Sequence, residues 1–181
     1  MTYKTILLTA LVAGTLIFGT AYTPQAPIEI KEVKIGNQIW MAQNVSTNIA
    51  GSYSYKNDPL NTKLYGRLYT WEAAKKACPA GWHLPTDAEW KELTAALGGE
   101  ATAAAKLKVG GASGFDAVYG GFKSEKAMEF DGKNYSAIFW SSTPFQGNTV
   151  WAREIKSFSP KLLETAYDKN MGLSCRCVKD K

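Results

Sequence analysis

Histidine is almost absent: His83 is the only one in 181 residues, and there are only three cysteines. A structural zinc site closes four ligands around its ion. Three cysteines and one histidine, spread between positions 78 and 177, therefore argue against a metal-built domain, and no metal or other cofactor is expected. A nucleophilic triad holds its histidine between a Ser or Cys and an orienting acid. The spacing around His83 offers no such set, so no catalytic residue is expected. Lys and Arg outnumber Asp and Glu by 21 to 16, but the signs are mixed, as in Lys31-Glu32 and Lys91-Glu92. With no basic stripe, nucleic acid is not an expected partner. The apolar stretch at 6–18 is too short for a stable membrane span. Its 13 residues make a helix of about 20 Å at 1.5 Å per residue, against a hydrocarbon core of about 30 Å. Internal repeats and low-complexity tracts are lacking as well.

What is present is an ordinary core-forming composition, 45% hydrophobic and 20% charged, which excludes a disordered chain. Aromatics stand out, with six Trp and nine Tyr. Such rings suit both strand packing and ring-lined binding surfaces. The N-terminal stretch reads as targeting. Lys4 supplies a positive start, 6–18 an apolar centre, and Gly19-Thr20-Ala21 the small residues a signal peptidase reads. The expected organisation is a signal peptide at 1–21, a linker at 22–32 and one domain at 33–181. Its location is secreted, periplasmic or at the cell surface, with no stable membrane span once the signal is cleaved.

Along the domain, 33–35 alternates, Gly36-Asn37 turns and 38–41 resumes, which predicts a hairpin. Residues 46–62 are rich in Ser, Asn, Thr and Tyr and predict a long loop. One helix is predicted at 70–78, capped by Thr70 and stopped by Pro79. A second follows Thr86-Asp-Ala-Glu89, a capping box in which Thr86 and Glu89 satisfy each other's backbone amides. Trp90, Leu93 and Leu97 recur on one face of it, and Gly98-Gly99 ends it. A further short helix is predicted at 101–107. Strands are predicted at 119–122, 127–130, 135–140, 150–155, 162–167 and 173–178, with turns at Asp131-Gly132 and at 168–170. Helices early and strands late imply an α+β fold with an antiparallel sheet. Trp40, Trp71, Trp82, Trp90 and Trp140 are assigned to the core.

Export favours a disulfide. Cys78 bridged to either Cys175 or Cys177 would close a loop of about 100 residues, with about 4.7 kcal/mol as an upper chain-entropy figure. One thiol is then left over.

Several blocks carry a resemblance. They are Gln38-Ile-Trp-Met-Ala-Gln-Asn-Val45, Tyr65-Gly-Arg-Leu-Tyr-Thr-Trp71, Cys78-Pro-Ala-Gly-Trp-His-Leu-Pro-Thr-Asp-Ala-Glu-Trp90, Trp140-Ser-Ser-Thr143 and Cys177-Val-Lys-Asp180. Their order and spacing, covering about 33–180, resemble the Fibrobacter succinogenes major paralogous domain family, exported or surface-bound bacterial proteins. The block at 84–90 also looks like one in the formylglycine-generating enzyme family. That second likeness implies a C-type-lectin-like fold: two main helices packed on short twisted antiparallel strands with long loops. The family pattern implies that Cys177 is the partner of Cys78 and that Cys175 is spare, a buried small hydrophobe. The enzymes' late copper-binding cysteine pair is not matched, because Cys175 and Cys177 are only two apart.

The expected function is therefore an exported, non-catalytic binding module for glycans or cell-surface proteins, with a formylglycine-generating-like oxidase or a purely structural surface component as alternatives. Loops on a rigid scaffold commonly carry binding. The candidate ligand-binding residues are Tyr53, Tyr55, Asn57 and Asp58 in the first long loop, and Ser141, Ser142, Phe145 and Asn148 in the second. His83 and Glu89 resemble an acid–base pair, but the capping box already accounts for Glu89, so His83 is expected to be structural and half-exposed.

Overall fold

The computed structural model describes residues 30–126 and 129–181. The expected signal peptide, most of the expected linker and part of the predicted strand at 127–130 lie outside the described residues.

The domain opens with the predicted hairpin: β1 (Glu32–Ile35) and β2 (Gln38–Met41), joined by Gly36-Asn37 with Gly36 at φ 59°. The predicted loop at 46–62 is not structureless. It holds β3 (Ser52–Tyr53), one 3-10 turn (Tyr55–Asn57) and the start of α1 (Pro59–Tyr65). Asp58 caps α1 by accepting from the Leu60 amide at 2.9 Å, and Pro59 is at its first position. β4 (Leu68–Tyr69) leads into α2, which spans only Trp71–Ala74 rather than 70–78; the chain turns beyond Ala74 toward Cys78. β5 (Trp82–His83) follows.

The capping box forms as predicted: Thr86 Oγ1 accepts from the Glu89 amide at 3.2 Å, and Glu89 Oε2 accepts from the Thr86 amide at 2.8 Å. It starts α3 (Asp87–Ala96), and α4 (Glu100–Leu107) follows after Gly98 and Gly99, both at φ 91°. The remaining strands are β6 (Gly120–Lys123), β7 (Phe130–Lys133), β8 (Ser136–Pro144), β9 (Thr149–Lys156), β10 (Leu162–Asp168), β11 (Leu173–Ser174) and β12 (Val178–Lys179). Asp131-Gly132 lies inside β7, not in a turn; the chain reverses at Asn134, which adopts φ 75°.

The mixed α and β composition is compatible with the α+β class. Two sheets form, a small one in the order β1-β2-β12-β5 and a large one in the order β10-β9-β8-β11-β4-β3, with β6 beside β8 and β7 beside β6. Pairing is antiparallel except where β8 meets β11 and β6. The strand predicted at 173–178 is split. β11 belongs to the large sheet and β12 to the small one, so Cys175-Arg176-Cys177 crosses between the sheets.

The central strand β8 is buried on both faces. Ile138 and Trp140 join a core with Tyr69, Trp71 and the late cysteines. Ala137 and Phe139 join a second core with Trp40, Trp90, Leu93 and Phe115, under α3 and α4. Period-two alternation thus becomes two cores, one on each side of the sheet. All five tryptophans assigned to the core are buried. Four have indole N–H groups that donate within the fold: Trp40 to Gln38, Trp71 to the Ser141 carbonyl, Trp90 to the Trp140 carbonyl and Trp140 to the Tyr69 carbonyl. Among the described residues, no helix is long and apolar enough to cross a membrane.

Candidate functional site

A cleft of about 550 Å³ opens between the segment after β2 and the end of α1. Asn44 and Ser46 line one side, Thr62, Lys63 and Tyr65 the other, and Asp116 closes one end. A hollow of about 290 Å³ shares Gln43, Asn44 and Ser46 and continues past Thr47 to Pro79. Amide, hydroxyl and ring groups, one lysine and one carboxylate line it beside the apolar side chains of Ala42, Pro59, Leu64 and Val118.

Two things hold its walls in place. The first is Gly66, at φ 75°, which ends α1. A Cβ there would lie 2.6 Å from Asn44 Cβ and 2.7 Å from the Val45 carbonyl, so only glycine lets α1 end against this segment. The second is Arg176, fully buried beneath the cleft. Its Nε and Nη2 donate to Asn44 Oδ1 at 3.1 and 2.7 Å, its Nη1 to the carbonyls of Met41 (2.9 Å) and Phe115, and its Nη2 to the Asp116 carbonyl at 3.5 Å. The guanidinium lies 4.1 Å from the Phe115 ring centroid. Asn44 in turn donates to the Tyr65 carbonyl at 2.9 Å. Asp116 takes φ 50°, a costly conformation for a side chain with a Cβ, and its carboxylate accepts from the Gly110 amide. One buried cation therefore fixes both Asn44 and Asp116.

The residues expected to bind ligand are dispersed. Tyr55 is buried, its ring 5.4 Å from that of Phe130, and Ser141 is fully buried, its carbonyl accepting from Trp71. The expectation that these two face a ligand is corrected: both fill space beneath loops that the sequence shows only as polar. Tyr53 is half-buried on β3 with Lys123 Nζ 4.8 Å from its ring centroid. Asn57 ends the 3-10 turn at φ 58°, and Asp58 is the cap of α1. The Ser142 amide donates to the Pro85 carbonyl at 2.7 Å. Phe145 is exposed but packs tilted against Trp151, ring centroids 4.3 Å apart, and Asn148 donates to Asp168 at 2.8 Å. In the large sheet, β4, β11 and β8 separate β3 from β9, so the two groups form no single site. The cleft residues were missed because they come from three distant segments. The visible signal was the pairing of Tyr65-Gly66 with Gln43-Asn44, inside two of the blocks that carry the resemblance.

His83 is half-exposed, as expected, and sits between two carboxylates. Its Nε2 lies 2.8 Å from Glu89 Oε1 and its Nδ1 2.6 Å from Asp180 Oδ1. Burial works to lower its pKa, but the two carboxylates outweigh that and raise it above the ordinary histidine value. For Glu89, burial works upward, yet the Thr86 amide and His83 hold its carboxyl below the usual range. Glu89 thus serves the capping box and the histidine together, and the group ties the start of α3 to the C-terminal strand.

The disulfide joins Cys78 to Cys177, with Cα atoms 5.9 Å apart. Cys175 is free and buried, and its Sγ lies 4.0 Å from that of Cys78. Burial pushes its thiol up to about 12, against a lesser pull from Arg176.

Fold and site together define a disulfide-bonded mixed α/β domain with a cleft between the segment after β2 and the end of α1. The chain belongs to the family described as the Fibrobacter succinogenes major domain, whose model matches residues 33–179. Searches of curated proteins and of solved structures find no match.

Proposed function

We propose that this chain is an exported or surface-displayed binding module with a C-type-lectin-like fold, and that its cleft takes a neutral glycan without catalysis. The observation that carries this reading is the lining of the cleft. Ser46 supplies an exposed hydroxyl that can exchange hydrogen bonds with sugar hydroxyls, Asp116 adds a carboxylate acceptor and Tyr65 a ring, while Asn44 and Thr62, already bonded to Arg176 and Ser54, shape the wall. The walls are pre-set by Arg176 and Gly66, so little ordering is required on binding. Support for export comes from the positive start and apolar centre of the first 21 residues and from the disulfide, a bond typical of oxidising compartments. The oxidase alternative needs Cys175 and Cys177 as a free pair, and Cys177 is bonded to Cys78.

The test is a glycan array on the secreted protein, followed by calorimetry on the best hit with Tyr65→Ala and Ser46→Ala. The expected result is a saccharide whose affinity falls at least about tenfold in both variants, the equivalent of one lost net hydrogen bond or ring contact. No hit on the array, or a hit indifferent to both substitutions, overturns the reading.

A further inference from the structure

The three cysteine sulfurs form a triangle. Those of Cys78, Cys175 and Cys177 all lie within 4.8 Å of one another, although Cys78 is about a hundred residues from the other two. Thiol–disulfide exchange is one use for a thiol beside a disulfide. Exchange, however, needs the attacking, central and leaving sulfurs in line, which would place the outer two about 6 Å apart. The 4.8 Å limit excludes that line.

A triangle is instead the arrangement of three thiolates around one ion. With metal–sulfur bonds of about 2.3 Å, three thiolates sit about 3.8–4.0 Å apart. The Cys78–Cys175 separation is already 4.0 Å, whereas the Cys78–Cys177 pair is bonded at 2.08 Å and reaches such a spacing only once that bond is opened. The setting is soft and dry. Cys175 and Cys177 are fully buried and Cys78 is half-buried, and the Cys175 thiol donates to the Ala74 carbonyl at 3.8 Å. Three thiolates around a divalent ion carry one net negative charge.

We infer that reduction of the Cys78–Cys177 bond turns the three sulfurs into a thiolate site for a soft divalent metal ion. The steps balance. A dithiol reductant gives two electrons and two protons to the disulfide and is itself oxidised to a disulfide, leaving Cys78 and Cys177 as thiols. The ion then displaces the three thiol protons. The oxidised protein holds only one thiol and lacks the site. The assignment is independent of the glycan reading and goes beyond it.

The experiment titrates cadmium(II) anaerobically into the mature protein, oxidised and dithiol-reduced, following the ultraviolet thiolate-to-metal charge-transfer band and the near-ultraviolet circular dichroism of the tryptophans. The reduced protein should bind one ion per chain with a native tryptophan signal, and the oxidised protein should give no such band. Cys175→Ser keeps the disulfide, so it folds in the oxidised form. After reduction it should bind at least about a hundredfold more weakly, since loss even of an outer-shell partner costs ten- to a hundredfold. If reduction unfolds the protein, cadmium should restore the native signal, because binding then drives folding. The inference is overturned if reduced protein gives no charge-transfer band, if cadmium fails to restore a lost fold, or if Cys175→Ser binds as tightly as the parent.

Discussion

Arg153 on β9 donates from Nη2 to Asp87 Oδ1 at 2.6 Å, and this bond anchors the first turn of α3 to the sheet. Glu164 on β10 takes the same nitrogen at 2.9 Å, and Lys91 closes on the other Asp87 oxygen at 2.7 Å. The Arg153 side chain is 3% exposed, so removing an acid leaves a buried cation short of a partner. Asp87→Ala should therefore cost about 3 kcal/mol, the lower end for breaking a buried pair, as a shifted urea midpoint with unchanged slope. A loss within a few tenths of a kcal/mol would mean that Glu164 alone suffices.

Asp87 also sets an acid limit. Burial works to raise its pKa, but hydrogen bonds from Lys91 and Arg153 outweigh that and hold it below the ordinary carboxylate value. Its contribution is therefore complete above the unfolded pKa of about 3.9 and fades as pH falls through the lower folded value. Urea midpoints measured downward from pH 5 should fall more steeply for the parent than for Asp87→Ala.

His83 has the opposite sign. Its folded pKa is raised, so its stabilisation is complete below about pH 6.5 and is lost as pH rises through the folded value. The melting temperature should drop between pH 6 and pH 8, and His83→Gln should flatten that step. A step of equal size in His83→Gln would assign it to another group.

The Cys78–Cys177 bond closes a loop with a sequence separation of 99. Replacing both cysteines with serine should cost about 2–5 kcal/mol. The measurement is guanidinium unfolding of the variant beside the oxidised parent, and the reduced parent should match the variant when no metal is present.

Arg176→Met would leave Asn44 Oδ1 and the Met41 and Phe115 carbonyls without their buried donor. At about 1–3 kcal/mol for each unsatisfied group, the loss should exceed about 3 kcal/mol. Arg176→Lys should not restore it, because one ammonium cannot span the carbonyls that a planar guanidinium reaches. Full stability in Arg176→Lys would show that charge, not geometry, is what the site requires.

Much of the fold was legible because its signals are local. Gly36-Asn37, the Thr86–Glu89 capping box and the Trp90-Leu93-Leu97 stripe each act within a few residues, and each formed as read. Helix α1 was equally readable: Asp58 as cap, Pro59 at the first position and Gly66 at the end are start and stop signals. A polar composition obscured them. The helix ending at Ala74 instead of residue 78 shows the reverse, a helical signal that gives way to turns before the disulfide-bonded Cys78.

The cleft was illegible for a physical reason. Asn44, Tyr65 and Asp116 come together only once Arg176, over a hundred residues from Asn44, is bonded to Asn44 and the Asp116 carbonyl. Nothing in a hydrophobic period marks a buried arginine, and 173–178 reads as one continuous strand whether or not it changes sheet.

The sequence by itself determined the first hairpin, the capping box and stripe of α3, most of the later strands, the tryptophan core and the family, because each depends on neighbours in the chain or on blocks of residues in a set order. Only the tertiary structure decided that the last strand divides between two sheets, that Arg176 supports a cleft from within, and that three cysteines meet in a triangle. Those are contacts between segments far apart in sequence, selected by the joint packing of both cores and not by any local preference of the chain.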